Sequence, residues 1–312
     1  MKIYNPNLPK EIVNELYRLN EQYFQFDKPI PFKEGLTLYP VNIQHYDEFL
    51  AASECLTLNR MECIEGIGTS NLGYLLLKMN DKSKPEEASK YSQYLIRMCE
   101  LVFHIQYGVR CGKCGKIYNY YDFLSKALDK EHIFHCDCYK GEDGEEDEFD
   151  INIKYQTNKE TNQKELLVNG ITITVKEFDL LRQIIMYQNL PDYKDDSFVD
   201  PILREDQRKK QELLAQKNKT GTATLERKIV CVAAKSNYKI EEIYNMTIRK
   251  FLMLLSTIDD AMNYECTRIG LMTGMVSMKE PIEHWIYKKE SDDLYGDAVT
   301  LDDLQKEISS AV

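Results

Sequence analysis

The sequence predicts an α+β protein: helical N- and C-terminal parts with a zinc-bound, β-rich insertion between them. Three observations predict it. Apolar residues recur at helical spacing through residues 1–102 and again through 175–291. Over 103–174 that spacing gives way to short strand-like segments, of which Phe149 to Tyr155 alternates apolar and polar as a half-buried strand does. Inside that middle stretch stand two cysteine couples, Cys111-Gly112-Lys113-Cys114 and Cys136-Asp137-Cys138. An acidic tail, 292–312, follows the second helical part.

The N-terminal part opens with Pro9, placed where the first turn of a helix tolerates it, and continues through Leu19 with Ile12, Leu16 and Leu19 on one stripe. Pro29 and Pro31 mark 27–34 as an extended connector. Leu36 to Tyr39 reads as a short strand stopped by Pro40. A helix follows from about His45 to Leu56, with Tyr46, Phe49 and Leu50 facing inward. Two more helices, Asn71 to Met79 and Glu86 to Val102, are divided by the polar run Asn80 to Pro85. The glycines of 66–73 lack both the dinucleotide spacing and a Lys-Ser/Thr ending, so this stretch is a loop with an N-cap at Ser70 or Asn71 and no phosphate cradle.

In the middle part, residues 109–111 lead into the first couple, Tyr118 to Leu128 reads as a short helix, and Ile133 to Cys136 as a strand. An acid-rich loop, 141–148, lacks the alternating acids and distal Glu of a calcium loop and reads as a solvated hairpin tip. Phe149 to Tyr155 alternates as one strand. Leu166-Leu167-Val168 and Ile171-Thr172-Ile173 flank Asn169-Gly170, two residues that tolerate positive φ, and so form a hairpin.

The C-terminal part starts at a capping box, Thr174 and Glu177. Its helix carries Phe178, Leu181, Ile184 or Ile185, and Tyr187 on the buried stripe. An acid-rich connector, Pro191 to Pro201, leads to an exposed, highly charged helix from Arg204 to Lys219. Helices at Leu225 to Ala234 and around Ile240 and Ile243 precede the longest one, capped by Thr247 and running from Ile248 to about Leu271. Phe251, Leu255, Ile258 and Met262 share one face of it.

The cysteine couples carry the clearest chemistry. Four thiols in two couples, 21 residues apart, match the tetrahedral demand of Zn²⁺. Cys111, Cys114, Cys136 and Cys138 are therefore the metal ligands, with His132 or His135 as substitutes if the short second couple cannot close. Four protein ligands leave no position for water, so the ion is structural and not catalytic. The other five cysteines, Cys55, Cys63, Cys99, Cys231 and Cys266, stand among apolar neighbours and read as small buried hydrophobes. Nine cysteines, an odd number without a secretory signal, argue against a disulfide framework.

Totals narrow the partners. A net charge of −11 opposes a chain devoted to coating nucleic acid. The 21 tyrosines against one tryptophan suit protein interfaces, and equally an AT-rich coding sequence. The longest apolar runs are too short to span a membrane. A helix-turn-helix over 225–255 is opposed by Glu241 and Glu242, which would repel phosphate. His284 beside Trp285 has no acid or nucleophile at a recognisable spacing, and no motif for hydrolysis, phosphoryl transfer or hydride transfer stands elsewhere. The chain is expected not to be an enzyme.

Two stretches carry a resemblance. One contains Asn169-Gly170-Ile171-Thr172, Lys176-Glu177-Phe178-Asp179, Tyr187-Gln188-Asn189-Leu190-Pro191-Asp192-Tyr193 and Val199-Asp200-Pro201. The other runs from Ile240-Glu241-Glu242-Ile243-Tyr244-Asn245-Met246-Thr247 through Phe251 to Ser277-Met278-Lys279-Glu280-Pro281 and His284-Trp285. Together they are similar to tail and baseplate proteins of phages of Gram-positive bacteria and, more distantly, to the hub-assembly and tail-assembly-chaperone families of contractile-tailed phages. The resemblance implies a structural or assembly protein with other phage tail or baseplate proteins as partners. It further implies residence in the virion or, during assembly, in the host cytoplasm. It supplies no ligand residue and does not include the cysteine couples. The alternative from another class is a zinc-containing regulator that binds nucleic acid.

Overall fold

The computed structural model describes residues 3, 5, 7–120, 136, 138, 149–197, 199–217, 223–274, 282 and 284–287. The readings of a strand at 133–136, an acidic hairpin tip at 141–148, a tail at 292–312 and most of the helix at 118–128 lie outside the described residues, apart from Cys136 itself. The chain forms two compact units, Met1–Leu255 and Ser256–Val312.

In the first unit, helix α1 (Lys10–Gln22) buries Leu16 and Leu19. Strands β1 (Ile30–Lys33) and β2 (Leu36–Leu38) pair as an antiparallel hairpin turned at Gly35, whose φ of 81° only glycine adopts readily. The expected connector at 27–34 is thus partly a strand. A two-stranded ribbon accommodates Pro31 because proline need not donate to a ladder on both sides. Helix α2 (Tyr46–Ser53) buries Phe49 and leaves Leu50 exposed, against the expectation that both face inward. A single turn, α3 (Ile64–Ile67), precedes α4 (Asn71–Met79), whose Ser70 hydroxyl accepts from the Gly73 N–H at 3.0 Å. Helix α5 (Pro85–Phe103) has proline in its first turn and ends at His104 in the left-handed conformation. Helices α2 and α4 pack on α5 around Leu72, Leu75, Met98 and Val102. Burying each such side chain contributes about 1.5–3 kcal/mol.

Two three-stranded antiparallel sheets follow. In the first, β3 (Gly108–Cys111) lies between β4 (Ile117–Asn119) and β5 (Phe149–Ile151). In the second, β7 (Lys164–Val168) lies between β6 (Ile153–Thr157) and β8 (Ile171–Ile173). Residues 149–155, expected to be one strand, are therefore two, parted at Asn152. The residues expected to open a helix at Tyr118 lie in β4. The turn joining β7 to β8 has Asn169 and Gly170 at φ 51° and 80°, the twist a tight hairpin needs.

Helix α6 (Val175–Asn189) begins at the expected capping box, with the Thr174 side chain on the Glu177 N–H and the Glu177 carboxylate on the Thr174 N–H. It packs on α1, α4 and β7. Its burial exceeds a single stripe, since Arg182, Gln183, Gln188 and Asn189 are buried with Phe178, Leu181 and Ile184. Helices α7 (Pro201–Lys217), α8 (Leu225–Lys235) and α9 (Ile240–Tyr244) lead to α10 (Ile248–Met272). The Thr247 hydroxyl caps α10 by accepting from the Lys250 N–H at 3.2 Å. Here an early and a late segment of the unit meet: Asn42 bridges Thr247, the Ile43 N–H donates to the Met246 carbonyl at 2.8 Å, and the Ile248 N–H donates to the Val41 carbonyl at 2.8 Å.

In the second unit, the Tyr264 ring lies 5.0 Å from that of His284, which stacks on Trp285 at 5.4 Å. Of the expected α10 stripe, Phe251 is fully buried, Leu255 and Ile258 are half-buried, and Met262 is exposed.

Candidate metal centre

Strand β3 delivers Cys111 as its last residue, fully buried. The chain then reverses through Gly112 to Lys116. The Gly115 N–H donates to the Cys111 carbonyl at 2.9 Å, and the Cys111 N–H donates to the Lys116 carbonyl at 2.9 Å. Gly115 takes φ 72°, which a side chain would resist. This turn lifts Cys114 to the surface beside Cys111. Cys136 is buried and Cys138 half-buried.

The four sulfurs lie within 4.8 Å of one another. Across the couples, Cys111 Sγ is 3.4 Å from Cys138 Sγ and Cys114 Sγ is 3.5 Å from Cys136 Sγ. Zinc–thiolate bonds of ~2.3 Å in a tetrahedron place sulfurs about 3.8 Å apart. The observed spread brackets that edge, and four thiols are the donor set of a closed structural site. Residues 111, 114, 136 and 138 thus form a four-cysteine cluster fit to hold a structural Zn²⁺ ion. Neither histidine substitute is needed for a full set of four ligands.

The surroundings favour thiolates. The register Val109↔Tyr118 places Tyr118 on β4 beside the cluster, and its hydroxyl donates to Cys136 Sγ at 2.9 Å. That bond, with the Cys138 backbone N–H, holds the Cys136 thiol down to about 6. Burial, and then the neighbouring sulfurs of Cys136 and Cys111, push Cys138 up. Without an ion, one thiolate is favoured at the expense of its neighbours. A divalent cation removes that conflict, because every sulfur then gains the same positive partner. Tyr118 would remain as the outer donor that offsets charge on a tetrathiolate centre. Its position depends on cross-strand register, so nothing in the local sequence singles it out.

Asn152 ties this sheet to the next one. Its Oδ1 accepts from the Gly108 N–H at 2.9 Å, its Nδ2 donates to the Gln106 carbonyl at 2.7 Å, and its N–H donates to the Gly108 carbonyl at 3.0 Å. Its own carbonyl accepts from the Asn169 N–H at 2.6 Å. Arg110 reinforces the join by donating to the Asn169 carbonyl at 2.6 Å.

The remaining cysteines divide. Cys55 and Cys99 are buried, and burial pushes both thiols up, that of Cys99 to about 12. Cys63 is half-buried near the Tyr74 hydroxyl. Cys231 and Cys266 are exposed, which corrects the expectation that all five are buried; each sits on an outward face of an otherwise amphipathic helix.

Among the described residues, no helix is long and apolar enough to cross a membrane. A family profile described as the YomV second domain matches residues 215–290, which take in α8, α9 and α10 and leave the cysteine cluster outside. No curated protein and no solved structure matches the chain.

Proposed function

We propose that the chain is a phage tail or baseplate protein, a structural component or an assembly factor, which acts without catalysis through contacts with other tail or baseplate proteins. The observation that carries the non-catalytic part is the saturated donor set: four cysteines leave a bound zinc no position for substrate or water. The ion then serves to fix the β-rich middle part, and the chain's outer faces do its work. The phage setting is supported by the stretches at 169–201 and 240–285 that resemble tail and baseplate proteins. Assembly in a host cytosol and residence in the virion fit thiols kept reduced for metal binding.

Mass spectrometry of purified virions and of tail assembly intermediates tests the reading. A component is expected in both samples, and an assembly factor only in the intermediates. Absence from both rejects the proposal. Salt-sensitive retention of duplex DNA by the purified chain would instead favour a nucleic-acid-binding regulator.

A further inference from the structure

A cleft of about 490 Å³ opens in the first unit, between the N-terminal residues, the face of α6 bearing Arg182 and Gln183, and the loop at Asp195 and Ser197. Its floor holds a buried cation with unused donors. Arg182 is 3% exposed. Only its Nη2 is engaged, donating to Ser197 Oγ at 3.0 Å and reaching both Asp195 oxygens at 3.5 Å. No protein group accepts from Arg182 Nε or Nη1 among the described residues. Asp195 does not call on them, because Asn5 Nδ2 at 2.8 Å, Gln183 Nε2 at 2.7 Å and the Ser197 N–H at 3.1 Å already surround its carboxylate. Gln183 Oε1, also buried, has no partner among the described residues.

A second guanidinium lines the same cleft. Arg60 donates through Nη1 to the Thr69 carbonyl at 2.5 Å and keeps the rest of its fork. A planar fork with free N–H groups matches a carboxylate or a phosphate. Asp179 decides between them. Its Oδ1 accepts from Asn71 Nδ2 at 2.5 Å, and the residue lines the cleft with its negative charge. A dianion placed there would face this carboxylate, whereas a single carboxylate with an adjacent amide N–H satisfies both signs. The rim is apolar: Met61 and Ile67 are 48% and 64% exposed.

We infer that this cleft binds a carboxylate presented beside an apolar side chain on a segment of a partner protein. Arg182 and Arg60 take the carboxylate, Asp179 takes a neighbouring backbone N–H, and Met61 and Ile67 cover the apolar group. The inference rests on the reading of the chain as one that works through protein contacts.

The test is saturation-transfer NMR on the full chain with two probes, acetyl-Leu-Glu-amide and acetyl-Leu-Gln-amide. The acidic probe is expected to bind about tenfold more tightly than its amide twin, and Arg60→Gln to remove about tenfold of that affinity, as loss of a charge-assisted hydrogen bond does. Arg182→Lys, which keeps the charge and loses the fork, is expected to weaken the acidic probe similarly. A thermal melt of each variant shows whether it folds; should Arg182→Lys unfold, Arg60→Gln and the probe pair still decide. Equal binding of the two probes, no binding of either, or an unchanged affinity in folded Arg60→Gln overturns the inference. Selective binding by a chain absent from virions and intermediates would retain the cleft and sink the tail reading, and the converse result would do the reverse.

Discussion

Asn152 commits its side chain to two backbone groups and its own N–H and carbonyl to two more, so that one residue ends β5, starts β6 and joins two sheets. Asn152→Ala should leave the Gly108 N–H and the Gln106 carbonyl short of partners, at a cost of about 2–3 kcal/mol in equilibrium denaturation. Gly108 admits no such change in its own right, since a Cβ there would stand 2.0 Å from the Tyr118 carbonyl oxygen. Asp195 is the other residue whose loss should be felt. Burial pushes its carboxyl up, but Arg182, Ser197 and Asn5 outweigh that and hold it below its ordinary 3.8. With the folded value lower than the unfolded one, the unfolded chain takes up the proton first. The contribution is therefore complete above about pH 4 and fades as pH falls through the folded value. Asp195→Ala should cost about 3–5 kcal/mol at neutral pH, because it strands Arg182. Asp195→Asn should flatten the acid limb of a stability–pH curve, and an unchanged limb would show that the carboxylate is not the group responsible.

Among the elements, the cysteine turn and the α6 cap are open to direct test. Purified protein is expected to hold about one zinc per chain. Cys114→Ser should lose the ion and raise protease sensitivity around 108–119, read by metal analysis and limited digestion. Thr174→Ala should cost about 1 kcal/mol, the usual worth of an N-cap, with the zinc content unchanged. These two elements were also the most legible in the sequence, because their geometry is written in residues three positions apart. The same holds for α4, with its Ser70 cap, for the spacing of α5, and for the Asn169-Gly170 hairpin. Strand β1 was hidden by Pro31 and the preceding Pro29, since pairing with β2 is what makes Ile30–Lys33 part of a ladder. The break at Asn152 was hidden by alternation that runs on unbroken from Phe149 to Tyr155; only the presence of Gly108 and Gln106 across from it reveals a join. The clustering of the four cysteines was legible from spacing alone, but Tyr118 beside them depends on the β3–β4 register, and the Arg182–Asp195 cleft on residues far apart in the chain.

For the molecule as a whole, proton competition sets the range in which the metal centre holds. With thiolates as ligands, acidification should release zinc, measured with a chromogenic chelator; Cys136, held down to about 6, takes its proton after Cys138. Retention that rises on acidification would exclude a thiolate site. The strand-like contact of residues 41–43 with 246–248 has its own bearing on how this polypeptide can be divided. The profile match begins at 215, yet the backbone at Ile248 is completed by a carbonyl contributed more than two hundred positions earlier. A peptide excised as 215–290 would leave with that amide bare and with Ile243, Ile248 and Phe251 stripped of their cover. The early residues thus supply backbone partners that the late ones use, and co-expression of 1–214 is expected to raise the solubility of the excised piece.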